Sequence, residues 1–142
     1  MNDFNIKIEY KHVPRFDSGS DESIDHLESE GYVIIKNALT ANEATKTLDL
    51  LWDYLENLGT GIDRTNPMTW SDDKWPTCAH GGIIPSYGIG HSEAQWFVRG
   101  VPNVKKAFAK VWGTNDLLTS FDGVSLWRPW NIDPSWKTQS GQ

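Results

Sequence analysis

Residues 40 to 59 constrain this chain most, because they specify both ends and one face of a helix. Thr40-Ala41-Asn42-Glu43 has the form of a capping box, in which the Thr40 hydroxyl accepts from a free helix N–H and the Glu43 carboxylate reaches back to the cap residue's amide. Beyond it Ala44, Leu48, Leu51, Trp52, Leu55 and Leu58 recur at three- and four-residue intervals, and Gly59 supplies a stop. The stripe they form must face a sheet or another helix.

Other segments assemble around that helix. Phe4, Ile6, Ile8 and Tyr10 alternate and predict a short strand within a polar arm spanning 1–19. From Ser20 the pattern is helical, with Asp21 and Glu22 suited to a helix N-terminus, Ile24 and Leu27 on one side, and Gly31 as the stop. Tyr32-Val33-Ile34-Ile35 then predicts a strand buried on both faces or set at a barrel margin. Residues 59–86 hold Trp70 and Trp75 among Gly, Pro, Asp, Thr and Ser with no sustained period, so this stretch either lines a site or conceals a short element.

The pattern resumes with a short helix over Ser92 to Arg99 and a second helix opened by Pro102, whose missing N–H costs nothing in a first turn. Val104, Phe108, Val111 and Trp112 give this second helix its buried face, and Gly113 ends it. Leu117 to Phe121 and Val124 to Trp127 read as strands joined at Asp122-Gly123 by a hairpin turn or a bulge. Pro129 and Pro134 break regularity, and residues 131–142 read as a polar, frayed tail. The fold class expected is α+β, with residues 20–130 forming one unit.

A length of 142 residues fits one domain or a piece of a larger one. Eight Trp, five Phe and four Tyr offset a modest apolar share of 38% and predict an aromatic-heavy core. A net charge of −6 with scattered basic residues argues against a nucleic-acid partner. The apolar runs are far shorter than the roughly 20 residues of a membrane helix, and no signal-peptide pattern opens the chain, so the expected setting is the cytoplasm, away from membranes. Cys78 stands alone, so the expectation is an unreactive loop thiol with no disulfide within the chain.

A mononuclear oxygenase iron takes two imidazoles and one carboxylate on one face, in the sequence form His-x-Asp or His-x-Glu with a later His. His91-Ser92-Glu93 matches the first half by spacing, but no histidine follows His91. His12, His26 and His80 lie upstream, and a site built from His80, His91 and Glu93 is an alternative. Gly88-x-Gly90 lacks the third glycine and the flanking elements of a dinucleotide loop.

Taken in order, the motifs resemble a known family. The helix before Gly31-Tyr32-Val33-Ile34-Ile35-Lys36-Asn37-Ala38-Leu39, the capped helix after it, Gly90-His91-Ser92 with Trp96 and Arg99, Trp112-Gly113-Thr114 with Asp116-Leu117-Leu118, and Phe121-Asp122-Gly123 are together similar to the N-terminal portion of phytanoyl-CoA dioxygenase-like oxygenases dependent on Fe(II) and 2-oxoglutarate. The resemblance covers roughly residues 24 to 130 and implies helices and strands leading into a double-stranded β-helix, or jelly-roll, barrel that is incomplete here. It implies Fe(II) and 2-oxoglutarate as the intact family's cofactors and a small organic substrate. In such relatives the iron-binding His-x-Asp, the distal His and the Arg for the 2-oxoglutarate carboxylate come later than the residues matched here. The expectation is therefore that this chain by itself holds no cofactor, contributes no catalytic or metal residue, and is inactive: a truncated frame, half of a split enzyme, or a degenerate relative.

Within the resemblance, His91, Trp96 and Arg99 are the candidate substrate- or cosubstrate-binding residues, with the guanidinium anchoring a carboxylate and the imidazole donating a hydrogen bond. Each has a structural alternative: Arg99 capping a helix end or pairing with Glu93, and His91 holding the Gly-rich turn by a backbone bond. A reading from another class is a non-catalytic module that uses Trp127, Trp130 and Trp136 to stack on a sugar, meet a partner chain or self-associate.

Overall fold

The computed structural model describes residues 12–78 and 82–137, and the strand expected over Phe4 to Tyr10 lies outside them. Among the described residues four α-helices, α1 (Asp21–Glu30), α2 (Ala41–Glu56), α3 (Glu93–Gly100) and α4 (Pro102–Trp112), accompany a two-stranded sheet of β1 (Ile83–Ile84) and β2 (Val124–Ser125). The architecture is α+β, dominated by helix.

The helix ends follow local chemistry. Ser20 caps α1 by accepting from Ser23 N at 3.2 Å, and Gly31 closes it in the left-handed region at φ 77°. At α2 both halves of the capping box form: Thr40 Oγ1 accepts from Glu43 N at 3.2 Å, and Glu43 Oε2 accepts from Thr40 N at 2.7 Å. Ser92 caps α3, Pro102 opens α4, and Gly113 ends it in the left-handed region at φ 65°. One end differs from expectation: α2 stops at Glu56 with Asn57 as its cap, so Leu58 lies beyond the helix and Gly59 follows it in a left-handed turn.

The core is built from indoles. Leu55, Ile62 and Trp70 are buried together, with Trp52, Tyr54, Leu58, Trp75, Leu126 and Trp136 packed against them. Trp52 lies 5.0 Å from Trp70 and meets Trp75 edge-on at 6.3 Å, while Trp136 lies 6.4 Å from Trp70. The Trp70 Nε1–H donates to the Asp63 carbonyl at 2.8 Å, so the buried ring keeps its polar atom satisfied. Residues 59–78 thus form a packed segment with a 3₁₀ turn at Pro67–Thr69, the short element concealed by the absence of periodicity. Arg128 enters the same cluster. Its guanidinium lies 4.8 Å from the Trp136 ring and 5.6 Å from Trp75, and it donates to the Trp70 carbonyl at 2.7 Å and to Asp72 at 2.5 Å. Residues 131–137 are correspondingly not frayed, because an Asp133-capped 3₁₀ turn at Pro134–Trp136 seats Trp136 on this core.

Three expected features differ. Tyr32 to Ile35 makes a single parallel bridge with Phe16, with Tyr32 and Ile34 exposed, because Phe16 is its one backbone neighbour among the described residues. Leu117 to Phe121 is not a strand, and Asp122-Gly123 does not turn a hairpin. Val124 pairs instead with Ile84 and Ser125 with Ile83. Gly123 permits this: a Cβ there would fall 2.4 Å from the Ile84 carbonyl oxygen. The apolar stripes of α2 and α4 are also only partly covered, since Ala44, Leu48, Phe108, Val111 and Trp112 are exposed.

Arg64 joins the segment after α2 back to that helix, with Nη2 donating to Glu56 Oε2 at 2.7 Å and also pairing with Asp53. Hydrogen bonds from the Arg64 side chain and from its backbone N–H hold the Glu56 carboxyl below its ordinary 4.5. Because the folded value is depressed, the stabilisation is present above the unfolded value and disappears as pH falls through the folded one. The thermal midpoint should therefore drop as pH falls below about 4.5, and Arg64→Gln should show a shallower drop over the same window, measured by circular dichroism melts. Trp70→Ala should cost about 3–5 kcal/mol in denaturant unfolding, since it empties the centre of the indole cluster.

Candidate functional site

The candidate residues meet at the junction of α3 with the segment before β2. The approach is a tight turn in which Tyr87 and Gly88 both adopt left-handed conformations, at φ 60° and 73°. A bulky residue is uncommon there, and the position is held from both sides: the Tyr87 carbonyl accepts from Tyr54 Oη at 2.7 Å, and its own hydroxyl lies 3.3 Å from Thr77 Oγ1. Burial, with the neighbouring Tyr87, pushes the Tyr54 phenol above its ordinary value. The turn continues as a 3₁₀ segment over Ile89–His91, closed by His91 N donating to Gly88 O at 2.9 Å. Ser92, itself buried, then caps α3.

This sequence of turn, 3₁₀ segment and cap aims His91 at Phe121. The two rings stack with centroids 4.5 Å apart and planes 24° from parallel. Trp96 adds a second ring, 5.5 Å from Phe121 and 6.4 Å from His91. One turn further along α3, Arg99 lies over the same surface, 5.6 Å from the Trp96 centroid and 6.0 Å from Phe121. Its Nη1 donates to the Gly90 carbonyl at 2.5 Å. Gly90 is required by the fit, because a Cβ there would fall 2.6 Å from the Phe121 carbonyl oxygen and 2.9 Å from that of Asp122. Gln95 also reaches across, with Nε2 3.4 Å from the Gly123 oxygen.

The structure thus brings His91, Trp96 and Arg99 together around Phe121, a residue that sequence reasoning assigned to a strand. The family resemblance singled out Trp96 and Arg99 on the short helix expected over Ser92 to Arg99; the arrival of Phe121 from 22 positions beyond Arg99 was not legible. The structural alternative at Arg99 takes a different form from those expected. Arg99 neither caps the end of α3 nor pairs with Glu93, and bonds the Gly90 carbonyl instead. For His91 the expected backbone bond does form, from its N–H to the Gly88 carbonyl, and it closes the Gly-rich turn. Among the described residues Arg99 forms no ion pair, whereas Arg64 and Arg128 each have carboxylate partners. A cation lying on two half-exposed rings beside an imidazole is suited to a planar anion, which could stack on the rings and accept from the guanidinium.

The residues do not fit a ferrous site. Among the described residues no group of three His, Cys, Asp or Glu side chains could hold a metal ion. His91 is engaged with Phe121, His26 packs between Phe16 and Tyr32, and His80 lies outside the described residues. Of the three C-terminal tryptophans, Trp136 belongs to the core while Trp127 and Trp130 are exposed. Among the described residues no helix is long and apolar enough to cross a membrane.

Two known proteins are similar to this chain. "Ava biosynthesis cluster protein O" of Aspergillus versicolor is 35% identical over 130 residues, covering 92% of this chain and 41% of that protein. "Putative phytanoyl-CoA dioxygenase" of Dictyostelium discoideum is 29% identical over 117 residues, covering 79% of this chain and 33% of that protein. The chain therefore spans about two-fifths or less of the length of these relatives. No family profile and no solved structure matches.

If Gly90 sets the stack, Gly90→Ala should release it. In the native chain the His91 ring protons should resonate upfield under the Phe121 ring current, and the variant should lose that shift together with about 1–3 kcal/mol of stability. An unchanged His91 resonance in a destabilised variant would show that the stack does not depend on the close approach at Gly90.

Proposed function

We propose that this chain is the N-terminal portion of a phytanoyl-CoA dioxygenase-like oxygenase dependent on Fe(II) and 2-oxoglutarate. Its intact form would hydroxylate a small organic substrate in a double-stranded β-helix barrel. The observation that carries the reading is the pattern of coverage: similarity runs through 79–92% of this chain while occupying only 33–41% of each relative. A self-contained domain shared with a longer protein would produce the same coverage, but it would not be expected to leave whole helix faces bare. The exposed free thiol of Cys78 suits a reducing compartment, and the cytoplasm is part of the proposal.

In this reading the iron ligands and the residues that hold 2-oxoglutarate belong to the length of the relatives outside the match, and the described residues contribute none of them. What this chain would bring is the Arg99 cluster. Its guanidinium, without a carboxylate partner among the described residues, would hold the carboxylate of substrate or cosubstrate, with Trp96 as a stacking surface and His91 as a hydrogen-bond donor.

A second reading, a non-catalytic aromatic-rich module that binds a ligand or another chain, is favoured by one observation. Trp112 and Trp127 are 71% and 62% exposed, well beyond what scattered surface aromatics require.

Anaerobic titration with ferrous iron and 2-oxoglutarate tests the first reading on three proteins: this chain, the unaltered Aspergillus relative, and a chimera in which this chain replaces the relative's matched segment. The metal-to-ligand charge-transfer absorption should appear in the relative and the chimera and be absent from this chain alone. A band in this chain alone would contradict the placement of the ligands, and no band in the relative would contradict the oxygenase reading and leave the binding module.

A further inference from the structure

Polar groups on one side of α4 tie it to the segments at 17–21 and 37. The Asn103 carbonyl accepts from Ser18 Oγ at 2.5 Å, Asn103 Nδ2 lies 3.3 Å from the Asn37 oxygen, and Lys110 pairs with Asp21. The Lys106 side chain lies across Gly19, where a Cβ would meet it at 2.8 Å. A shallow groove of about 250 Å³ runs along this side, lined by Gly19, Lys106, Ala109, Lys110 and Gly113 among others. At about 100° per residue, the positions of Asn103, Lys106 and Lys110 fall opposite those of Val104, Phe108, Val111 and Trp112.

Val104 is partly covered, and the rest of the apolar stripe points outward. Phe108 is 58% exposed, Val111 45% and Trp112 71%, and no residue of α4 is buried. A surface helix ordinarily turns such a stripe to the core and leaves its lysines to solvent. Here Lys106 and Lys110, themselves exposed, reach Gly19 and Asp21, while Phe108, Val111 and Trp112 stay uncovered. Spacing of i, i+4, i+7 and i+8 is the anchor pattern of a helix laid against an apolar surface, and Phe and Trp are residues that dominate such contacts.

We infer that the outward stripe of α4, centred on Phe108, Val111 and Trp112, is a docking surface for the polypeptide that in the two longer relatives lies outside the matched region. More than half of each relative is such polypeptide, and there it is tethered to the matched segment, so it meets the stripe at high effective concentration. A second copy of this chain has no tether and carries the same net charge of −6, which opposes self-association. The inference rests on the same likeness to longer relatives as the oxygenase reading, and it does not depend on iron or on turnover.

The test labels one cysteine. In a Cys78→Ser background, Val111→Cys keeps the Phe108 and Trp112 anchors, and its reaction with a thiol reagent is followed by peptide-resolved mass spectrometry in this chain alone and in the chimera described above. Labelling should be at least about tenfold slower in the chimera, with the chain alone monomeric by light scattering. Equal rates in the two proteins would overturn the inference, as would slow labelling in a chain that is already dimeric, which would make a second copy the occupant. Should the chimera not fold, a cysteine introduced at the aligned position of the Aspergillus relative decides the matter: protection supports the inference and fast labelling overturns it. Because the readout is accessibility, a relative that binds no iron yet protects this position would sink the oxygenase reading and leave the docking surface standing.

Discussion

The Arg128 guanidinium, lying against Trp75 and Trp136 and bonded to the Trp70 carbonyl, fastens the described fold together. It joins segments that are remote in sequence, the 59–78 stretch and the 126–137 stretch, over the last turns of α2. A two-stranded sheet of two residues per strand cannot organise a core by itself, and the indole cluster takes that part. A cation among rings is favourable here because its N–H groups keep protein acceptors and one carboxylate as partners while its flat faces meet the aromatics.

The candidate site depends on the same fastening. With Leu126 packed on the core and bonded to Gly82, β2 is held beside β1, and the residues just before it are carried over the turn at Gly90. Phe121 arrives there and collects His91, Trp96 and Arg99. The site is thus a product of long-range packing, although each of its α3 members is placed by the local chemistry of a left-handed turn and a serine cap. The same architecture leaves α4 with lysine contacts to Gly19 and Asp21 on one side and exposed aromatic residues on the other. Satisfied polar contacts on one side and bare apolar groups on the other are what a piece of a larger fold would show.

How much of this was legible in the sequence divides along the range of the interactions. Ser20, Thr40, Ser92, Pro102, Gly31 and Gly113 all act within one helical turn, and each appears where local chemistry puts it. The strands expected over Tyr32 to Ile35 and Leu117 to Phe121 were misassigned because pairing is not local, whereas Val124-Ser125 is a strand within the span expected. Tyr32 to Ile35 has the composition of a buried strand but one bridge to satisfy it, and Asp122-Gly123 has the look of a hairpin turn although Gly123 serves a close approach to Ile84. The stretch around Trp70 was opaque because its order comes from burial of single indoles, which leaves no period to detect. At the site, His91, Trp96 and Arg99 could be singled out because they lie within the motifs that carry the family resemblance, whereas nothing in the spacing announces Phe121. The metal ligands that the family resemblance implies have no counterpart among the described residues, and the expected α4 core face is an outer surface.

Sequencing full-length transcripts that contain the codon for Gln142 tests the central claim, that this chain is one portion of a longer oxygenase, most directly. The account predicts that the same frame, or a co-transcribed neighbouring one, goes on to encode a His-x-Asp or His-x-Glu pair and a later His. Transcripts that encode no such residues in either place would contradict it.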